Sequence, residues 1–483
     1  MGSEKDRRLE VDPLENTPGP DPTADEKFLA TLSYAGAPKM TTPIPGPKAQ
    51  EIREDSFAYE SMARGAGRDP LVLAGGRGAT AVDPDGNLFI DMAAGTAVNA
   101  VGRCNPRVIK AMKEQMNRLM HAGEMSNVKR TKLARKIAEI MPFSLRNNSI
   151  THFAQSGSGA VETAIKFVRM ITGKSQIVAF HGAYHGVWLG GNSLTTGNQY
   201  RRGFGPFMPD VIHLPYPYCY RCCFGLEYPD CNLQCARYAD YVLNTPYTGA
   251  HDVAAVFIEA EQGESGYVPA PPGFLAALKK SCDKAGALLI ADEVQAGAGR
   301  TGKMWCIEHY GVEPDMITWG KGMGGDVPMA GLTMRKDLAE KIAEFSHPNS
   351  WAGNAVSCAA CLENINILTE NDRALIKRAA DLGDSLYRQL TAGAEEIEII
   401  GDIRGKGLMI GLELVEDRDS KKPLSPEAMG KFLMAMLNKG VILVPCGRYG
   451  NVIRLMPSLV ITREYAFKGI ELLLETAKNF LPE

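Results

Sequence analysis

The chain lacks a strong excess of either charge. Lys and Arg number 53 against 56 Asp and Glu, for a net charge of -3 over 483 residues. That balance gives no electrostatic reason to expect nucleic acid or an anionic membrane surface as a partner. No apolar run approaches the length of a membrane-crossing helix. The opening residues, MGSEKDRRLE, have no apolar core of the kind a signal peptide needs, and Asp6 stands where a myristoylation site wants Ser or Thr. These absences point to a cytoplasmic protein. There is no internal repeat, which excludes a solenoid. What the chain does not lack is cysteine. It has 11, unusual for that compartment, and five of them fall between Cys219 and Cys235. At 45% apolar and 23% charged residues the composition is that of a soluble globular protein. Its length is too great for one ordinary core, so two domains are expected.

Residues 1 to about 26 are charged and broken by Pro13, Pro18, Pro20 and Pro22, and TTPIPGPKAQ (41–50) is a second proline-rich connector. Residues 1–48 therefore read as a flexible arm. A helix follows to about Ala63. ATAVDPDGNLFIDM (79–92) reads as a hairpin turning at Pro84-Asp85-Gly86-Asn87, within an N-terminal segment 49–95. Beyond it the chain alternates. Helical patterns cover about 106–119, 129–140, 157–169, 273–285 and 354–370. Strands are expected at 150–154, 177–180, 254–258, 287–291, 316–319 and 330–334. Alternation of this kind predicts an α/β domain (96–372), a mostly parallel sheet covered by helices on both faces. A smaller α+β domain (373–483) completes the chain. Ligands of such sheets bind at the carboxyl ends of the strands.

Several strand ends carry suggestive residues. Met316-Ile317-Thr318-Trp319 ends at Gly320, and Lys321 follows at once, among Gly322, Gly324, Gly325 and Pro328. A lysine so placed suits an amine that loses its proton and attacks a carbonyl; the alternative is a solvated lysine in a loop. Ser156-Gly157-Ser158-Gly159 lies between strand and helix, where small residues let backbone N–H groups hold a phosphate, although glycine turns are common there. Asp292 follows the buried run ALLI. A carboxylate there is costly to bury without a cation such as a pyridinium nitrogen, or it caps the next element. Tyr184, in His181-Gly182-Ala183-Tyr184-His185, can stack on a planar ring or simply fill the core. Glu259, Glu261 and Glu264 end another strand and call for arginines to face them; Arg454 and Arg404 are the candidates. Phosphate, ring nitrogen, ring face and aldehyde carbon are the four points by which a protein holds pyridoxal phosphate.

From about Phe57 to the C-terminus the sequence resembles the class III (ornithine/4-aminobutyrate type) aminotransferases of pyridoxal-phosphate fold type I. The motifs are SGSGAVETAIK, GAYHG, IEAEQGESGY, ADEVQAGAGRTG, TWGKGMGGDVP, SWAGNAVSC and RGKGLMIGLE. The resemblance implies that Lys321 forms the Schiff base with the cofactor. Asp292 then pairs with the ring nitrogen, Gln295 reaches the ring hydroxyl, and Tyr184 stacks on the ring. Gly157 and Ser158 bind the phosphate, and Ser350 reaches the phosphate of a neighbouring subunit. The same motifs add Ser156, His185, Glu259 and Val294 to the cofactor-binding set. Glu264 and Arg454 look like a switching pair: Arg454 binds the α-carboxylate of a 2-oxo acid, and Glu264 covers it when the donor has none. The implied enzyme is a homodimer with shared active sites. It moves an amino group from an ω- or β-amino donor to 2-oxoglutarate or pyruvate, and its N-terminal hairpin folds onto the C-terminal domain.

One position departs from the pattern. Enzymes specific for 4-aminobutyrate carry an arginine after the Tyr-His-Gly of the third motif, and here Val187 and Trp188 follow. That change favours longer, apolar, β-amino or acyl-bearing donors, unless Arg201 or Arg202 takes the missing place. PGPKA and VPCGRYGNVIRLMP also resemble the amino-acid racemases and epimerases of the same family. Such enzymes share the first proton removal but return the proton to the other face of Cα.

The insertion YPYCYRCCFGLEYPDCNLQC, within 215–240, places Cys219, Cys222, Cys223, Cys231 and Cys235 close in sequence. Structural zinc is one reading and an iron–sulfur cluster another, beside disulfides or reduced buried thiols. No residue is assigned to a metal.

Overall fold

The computed structural model describes residues 24–63 and 70–481. Its centre is a seven-stranded sheet. In chain order the strands are β1 (Ser149–Ala154), β2 (Gln176–Phe180), β3 (Val211–Leu214), β4 (Val253–Ile258), β5 (Leu288–Asp292), β6 (Met316–Trp319) and β7 (Ala330–Arg335). They lie side by side as β1-β7-β6-β5-β4-β2-β3, and only β7 runs against the rest. The expectation of a mostly parallel sheet therefore holds. The short edge strand β3 has no counterpart in the sequence reading.

Nearly continuous apolar strands imply burial on both faces. Ile177, Ala179, Phe257, Ile290 and Met316 pack toward the helix Gly157–Thr172, through its Val161, Ala164, Ile165 and Val168. Their neighbours Val178, Phe180, Val256, Leu289, Ile317 and Trp319 join the larger core on the other face. Truncating one of the large members, such as Phe257, is expected to cost about 3–5 kcal/mol.

The N-terminal hairpin forms as expected, with Thr80–Val82 antiparallel to Leu88–Asp91. Leu88–Asp91 then pairs in parallel with Val441–Ile442, so residues far apart in sequence share one small sheet. The C-terminal part adds an antiparallel sheet built on Ile400–Lys406, Met409–Asp417, Val444–Cys446 and Val452–Leu455. The long helical stretch Ala355–Ala394 is broken at Glu370–Arg373, where Asn371, Asp372 and Arg373 take positive φ. The chain passes there from one block to the next.

The arm expected over 1–48 needs correction where it is described; residues 1–23 lie outside the described residues. Glu26–Thr31 is a helix with Leu29 fully buried. Its Glu26 accepts from Arg378 Nε at 3.0 Å and from the Arg463 backbone N–H at 2.9 Å. Pro38, Pro43 and Pro45 interrupt regular structure further along, yet Ala37 and Ile44 beside them are buried.

Candidate active site

The carboxyl ends of β1, β2, β4, β5 and β6 open on one edge of the sheet, because these strands point the same way. Register brings their last residues level: Ile258 lies beside Ala291, and Asp292 beside Thr318. Glu259, Asp292, Tyr184, Ser156 and Lys321 therefore converge from five separate segments.

Lys321 follows Gly320 directly and adopts a positive φ of 42°, a strained backbone for a residue with a Cβ. Desolvation, and next the nearby charge of Arg454, lower its ammonium pKa from 10.5 to about 8. An amine so poised is about half free base near pH 8 and largely free base only above it. Gly320 sits against Val294 and the backbone nitrogen of Gly157. That contact places the end of β6 beside the N-terminus of the helix Gly157–Thr172. Gly157 must be glycine there: an added Cβ would lie 2.7 Å from Val294 Cγ1. Ser156 caps the helix, accepting from Gly159 N–H at 3.1 Å. Ser158 fits under the loop at Gly186, where φ is 104° and a Cβ would meet Ser158 Oγ at 2.4 Å.

Asp292 is buried. Its Oδ2 lies 2.7 Å from His185 Nδ1, and its Oδ1 accepts from Val294 N–H at 3.1 Å. Burial works against a charge on His185, but the Asp292 hydrogen bond and charge outweigh it and raise the pKa. Two further buried atoms, His185 Nε2 and Gln295 Oε1, have no hydrogen-bond partner within the chain.

The three carboxylates after β4 meet three different fates, and only one needs an arginine. Glu264 Oε2 pairs with Arg454 Nη1 at 2.7 Å. Glu259 accepts from the backbone N–H groups of Tyr184 (3.0 Å) and Gly263 (2.8 Å), and burial pushes its pKa up to about 7. Glu261 is buried with neither oxygen bonded, and burial pushes its pKa up to about 8. Arg404, the other candidate, pairs with Asp402 and with Glu413 (2.8 Å), and donates to the Gly266 carbonyl (2.9 Å).

Val187 sits at the mouth of this site, its N–H 3.4 Å from Ser158 Oγ. Val187, Trp188 and Leu189 are 48%, 51% and 66% exposed. Arg201 does not replace the absent arginine, for its Nη1 donates to the carbonyls of Asn192 (2.8 Å) and Thr195 (2.7 Å). Arg202 is exposed. Ser350 is exposed in this chain, on the loop before Ala355 and next to the 60% exposed Trp351. Tyr200 went unread in the sequence: its hydroxyl donates to Glu264 Oε1 at 3.0 Å. It lies in a polar loop, NQYRR, without a recognisable signal.

The five clustered cysteines line one small pocket with Tyr216, Tyr218 and Phe224. Burial first, and next the charge of neighbouring thiols (Cys231 and Cys222 for Cys219, Cys222 for Cys223), push the thiols of Cys219 and Cys223 up. Among the described residues no three His, Cys, Asp or Glu side chains are grouped to hold a metal, so the zinc alternative gains no ligand set. All 11 cysteines are free thiols.

Residues 61–476 match the family described as aminotransferase class-III. An alanine/serine racemase of Pyrococcus horikoshii is 38% identical, over 92% of this chain and 93% of its own. A 4-aminobutyrate aminotransferase of Mycobacterium leprae is 35% identical, over 92% of this chain and 98% of its own. Among solved structures, an (S)-enantioselective omega-transaminase from Thermomicrobium roseum superposes with a TM-score of 0.81 and 31% identity. It covers 90% of this chain and 99% of its own.

Proposed function

The chain belongs to the class-III aminotransferase family, whose cofactor is pyridoxal phosphate, and on that footing we propose that it moves an amino group from an ω- or β-amino donor to a 2-oxo acid such as 2-oxoglutarate or pyruvate. The observation that carries this reading is the 2.7 Å pair between Glu264 and Arg454. A transaminase of this kind must accept two substrates in turn, one without an α-carboxylate and one with it. An arginine covered by a movable carboxylate serves both. A racemase sees the same α-carboxylate on substrate and product and gains nothing from the cover.

The residues present fit the cofactor. Gly157 keeps the helix N-terminus clear of a side chain, Asp292 is a buried carboxylate at a strand end, and Gln295 Oε1 is a buried acceptor with no donor. Pyridoxal phosphate supplies an aldehyde that captures amines and a pyridinium ring that takes up the electrons released at Cα. The N–H groups at Gly157 and Ser158 hold its phosphate, aided by the helix dipole. Asp292, held by His185 and Val294 N–H, keeps a proton on the ring nitrogen. Tyr184 covers the ring and Gln295 accepts from its hydroxyl. Ser156, Glu259 and Val294 fix the loops around these groups, Glu259 by receiving the N–H of Tyr184. Lys321 Nζ would take the proton from Cα of the donor and deliver it to the cofactor's aldehyde carbon rather than back to Cα. Val187 and Trp188 give the donor an apolar wall where a distal carboxylate would need a cation. Apolar or acyl-bearing donors are therefore favoured over 4-aminobutyrate.

A homodimer accounts for the exposed surface round Ser350. Trp351, Met120, Met125 and Val128 are all at least 60% exposed, and Asn354 Nδ2 ties this loop to the Met120 carbonyl at 2.9 Å. Ser350 then serves the partner's phosphate. The domain division follows as 49–95 with 373–483, around the cofactor-binding 96–372.

The second reading is a racemase or epimerase, favoured by the 38% identity to the alanine/serine racemase. One experiment separates the two. The holoenzyme is incubated with single enantiomers of α-amino acids without any 2-oxo acid, and beside them with a donor panel plus 2-oxoglutarate or pyruvate. Catalytic inversion in the first set, with no amino transfer in the second, overturns the transaminase reading.

A further inference from the structure

Glu264 has two oxygens and two partners. Arg454 Nη1 holds Oε2 at 2.7 Å and its Nη2 lies 3.5 Å from Oε1, to which the Tyr200 hydroxyl donates at the shorter 3.0 Å. Tyr200 stands on the single turn Asn198–Arg201, outside every motif read from the sequence. Its ring meets that of Tyr184 edge-on, with centroids 5.0 Å apart at 66°. The turn itself is anchored from behind. Asn192 Nδ2 donates to the Tyr200 carbonyl at 2.7 Å. The next residue, Arg201, donates to the Asn192 and Thr195 carbonyls and lies 4.1 Å over the Phe207 ring. Tyr200 is therefore held by its own surroundings, and its hydroxyl is a fixed point against which Glu264 rests.

The consequence concerns what opening requires. To free Arg454 for an incoming carboxylate, Glu264 must leave both partners. The substrate carboxylate replaces Glu264 on Arg454, so that bond is exchanged. The bond from Tyr200 has no such replacement from the substrate and biases the pair toward the closed arrangement. We propose that Tyr200 is a positioning residue that latches Glu264 over Arg454, and so sets how the site divides its affinity between amines without an α-carboxylate and 2-oxo acids that carry one. Burial, and next the charge of Glu264, raise the Tyr200 pKa well above its ordinary value. The phenol stays protonated, and a donor, through any working pH.

This inference rests on the reading of Glu264 and Arg454 as a gate, and the test keeps the two apart. Tyr200→Phe keeps the ring against Tyr184 and removes only the donor. In the holoenzyme it is expected to bind glutarate, an unreactive dicarboxylate, about tenfold more tightly by titration calorimetry. KM for 2-oxoglutarate falls alongside, while KM for an ω-amine donor rises. A residue that merely supports the loop would weaken both substrates together. Glu264→Gln is expected to tighten glutarate by itself, and adding Tyr200→Phe to it is expected to change nothing further. Unchanged glutarate affinity in Glu264→Gln overturns the gate. Unchanged or weaker affinity in Tyr200→Phe, with Glu264→Gln still tightened, overturns the latch alone. An equal tightening by Tyr200→Phe on the Glu264→Gln background also overturns it, since the tyrosine then acts on something else. Should Tyr200→Phe fail to fold, Tyr200→Leu is read by the same outcomes.

Discussion

The two ends of the site are built differently. At the end proposed to hold the cofactor, Lys321, Asp292, His185 and Ser156 each sit within two residues of a strand end or on the loop directly after one. They are packed against each other through Gly157, Gly320 and Val294. At the substrate end, Glu264, Tyr200, Arg454 and Val187 come from three loops and a strand of the C-terminal sheet, and Val187 and Trp188 are about half exposed. The first end is fixed by the hydrogen-bond register of a sheet. The second depends on how loops and a separate sheet lie against it. Chemistry common to a family is expected on the rigid end, and selectivity on the end whose parts change without disturbing the core.

The sharpest way to break this contrast is at its rigid end. Lys321→Ala is expected to lower turnover by on the order of a thousandfold or more. Cofactor remains bound but is no longer fixed covalently by borohydride, as mass spectrometry of the reduced protein will tell; a variant that still turns over removes Lys321 from the chemistry. At the other end, Arg454→Ala is expected to cut kcat/KM for the 2-oxo acid about a hundredfold and that for an ω-amine donor only a few-fold. Equal losses in the two half-reactions would erase the proposed division of labour. Val187→Arg is expected to shift preference toward 4-aminobutyrate by about tenfold, relative to a donor of equal length without a distal carboxylate. No shift in competition assays would place the specificity elsewhere. The smallest effect is in pH. Capture of cofactor needs neutral Lys321, whose pKa is lowered to about 8. Reconstitution of the apoenzyme therefore speeds up as pH rises toward 8 and levels off above it. A rate that falls over that range reverses the sign and excludes the lysine as its cause.

The same contrast explains what was legible in the chain. The residues proposed to hold the cofactor were readable because each follows an apolar strand closely, and Met316–Trp319 is a strand with the bounds its composition implies. β3 was missed: it is a four-residue edge strand, VIHL, without full burial. The helix Gln234–Asn244 has no counterpart in the sequence reading, because it begins inside the cysteine-rich insertion. Its buried Ala236, Ala239, Val242 and Leu243 do carry helical spacing. The three glutamates after β4 looked alike in sequence, yet one is ion-paired, one is capped by backbone N–H groups, and one is buried with no partner.

The sequence by itself determined the alternating α/β plan, the order of the strand-end motifs and the residue types offered for chemistry, because these follow from local periodicity and from what each side chain can do. Only the tertiary structure decided which arginine meets Glu264, that Arg201 is already engaged, and that Tyr200 reaches Glu264. Those are contacts between segments 64 to 190 residues apart in the case of Glu264, and pairing across such spans is set by sheet register and packing of the whole fold, which no local pattern encodes.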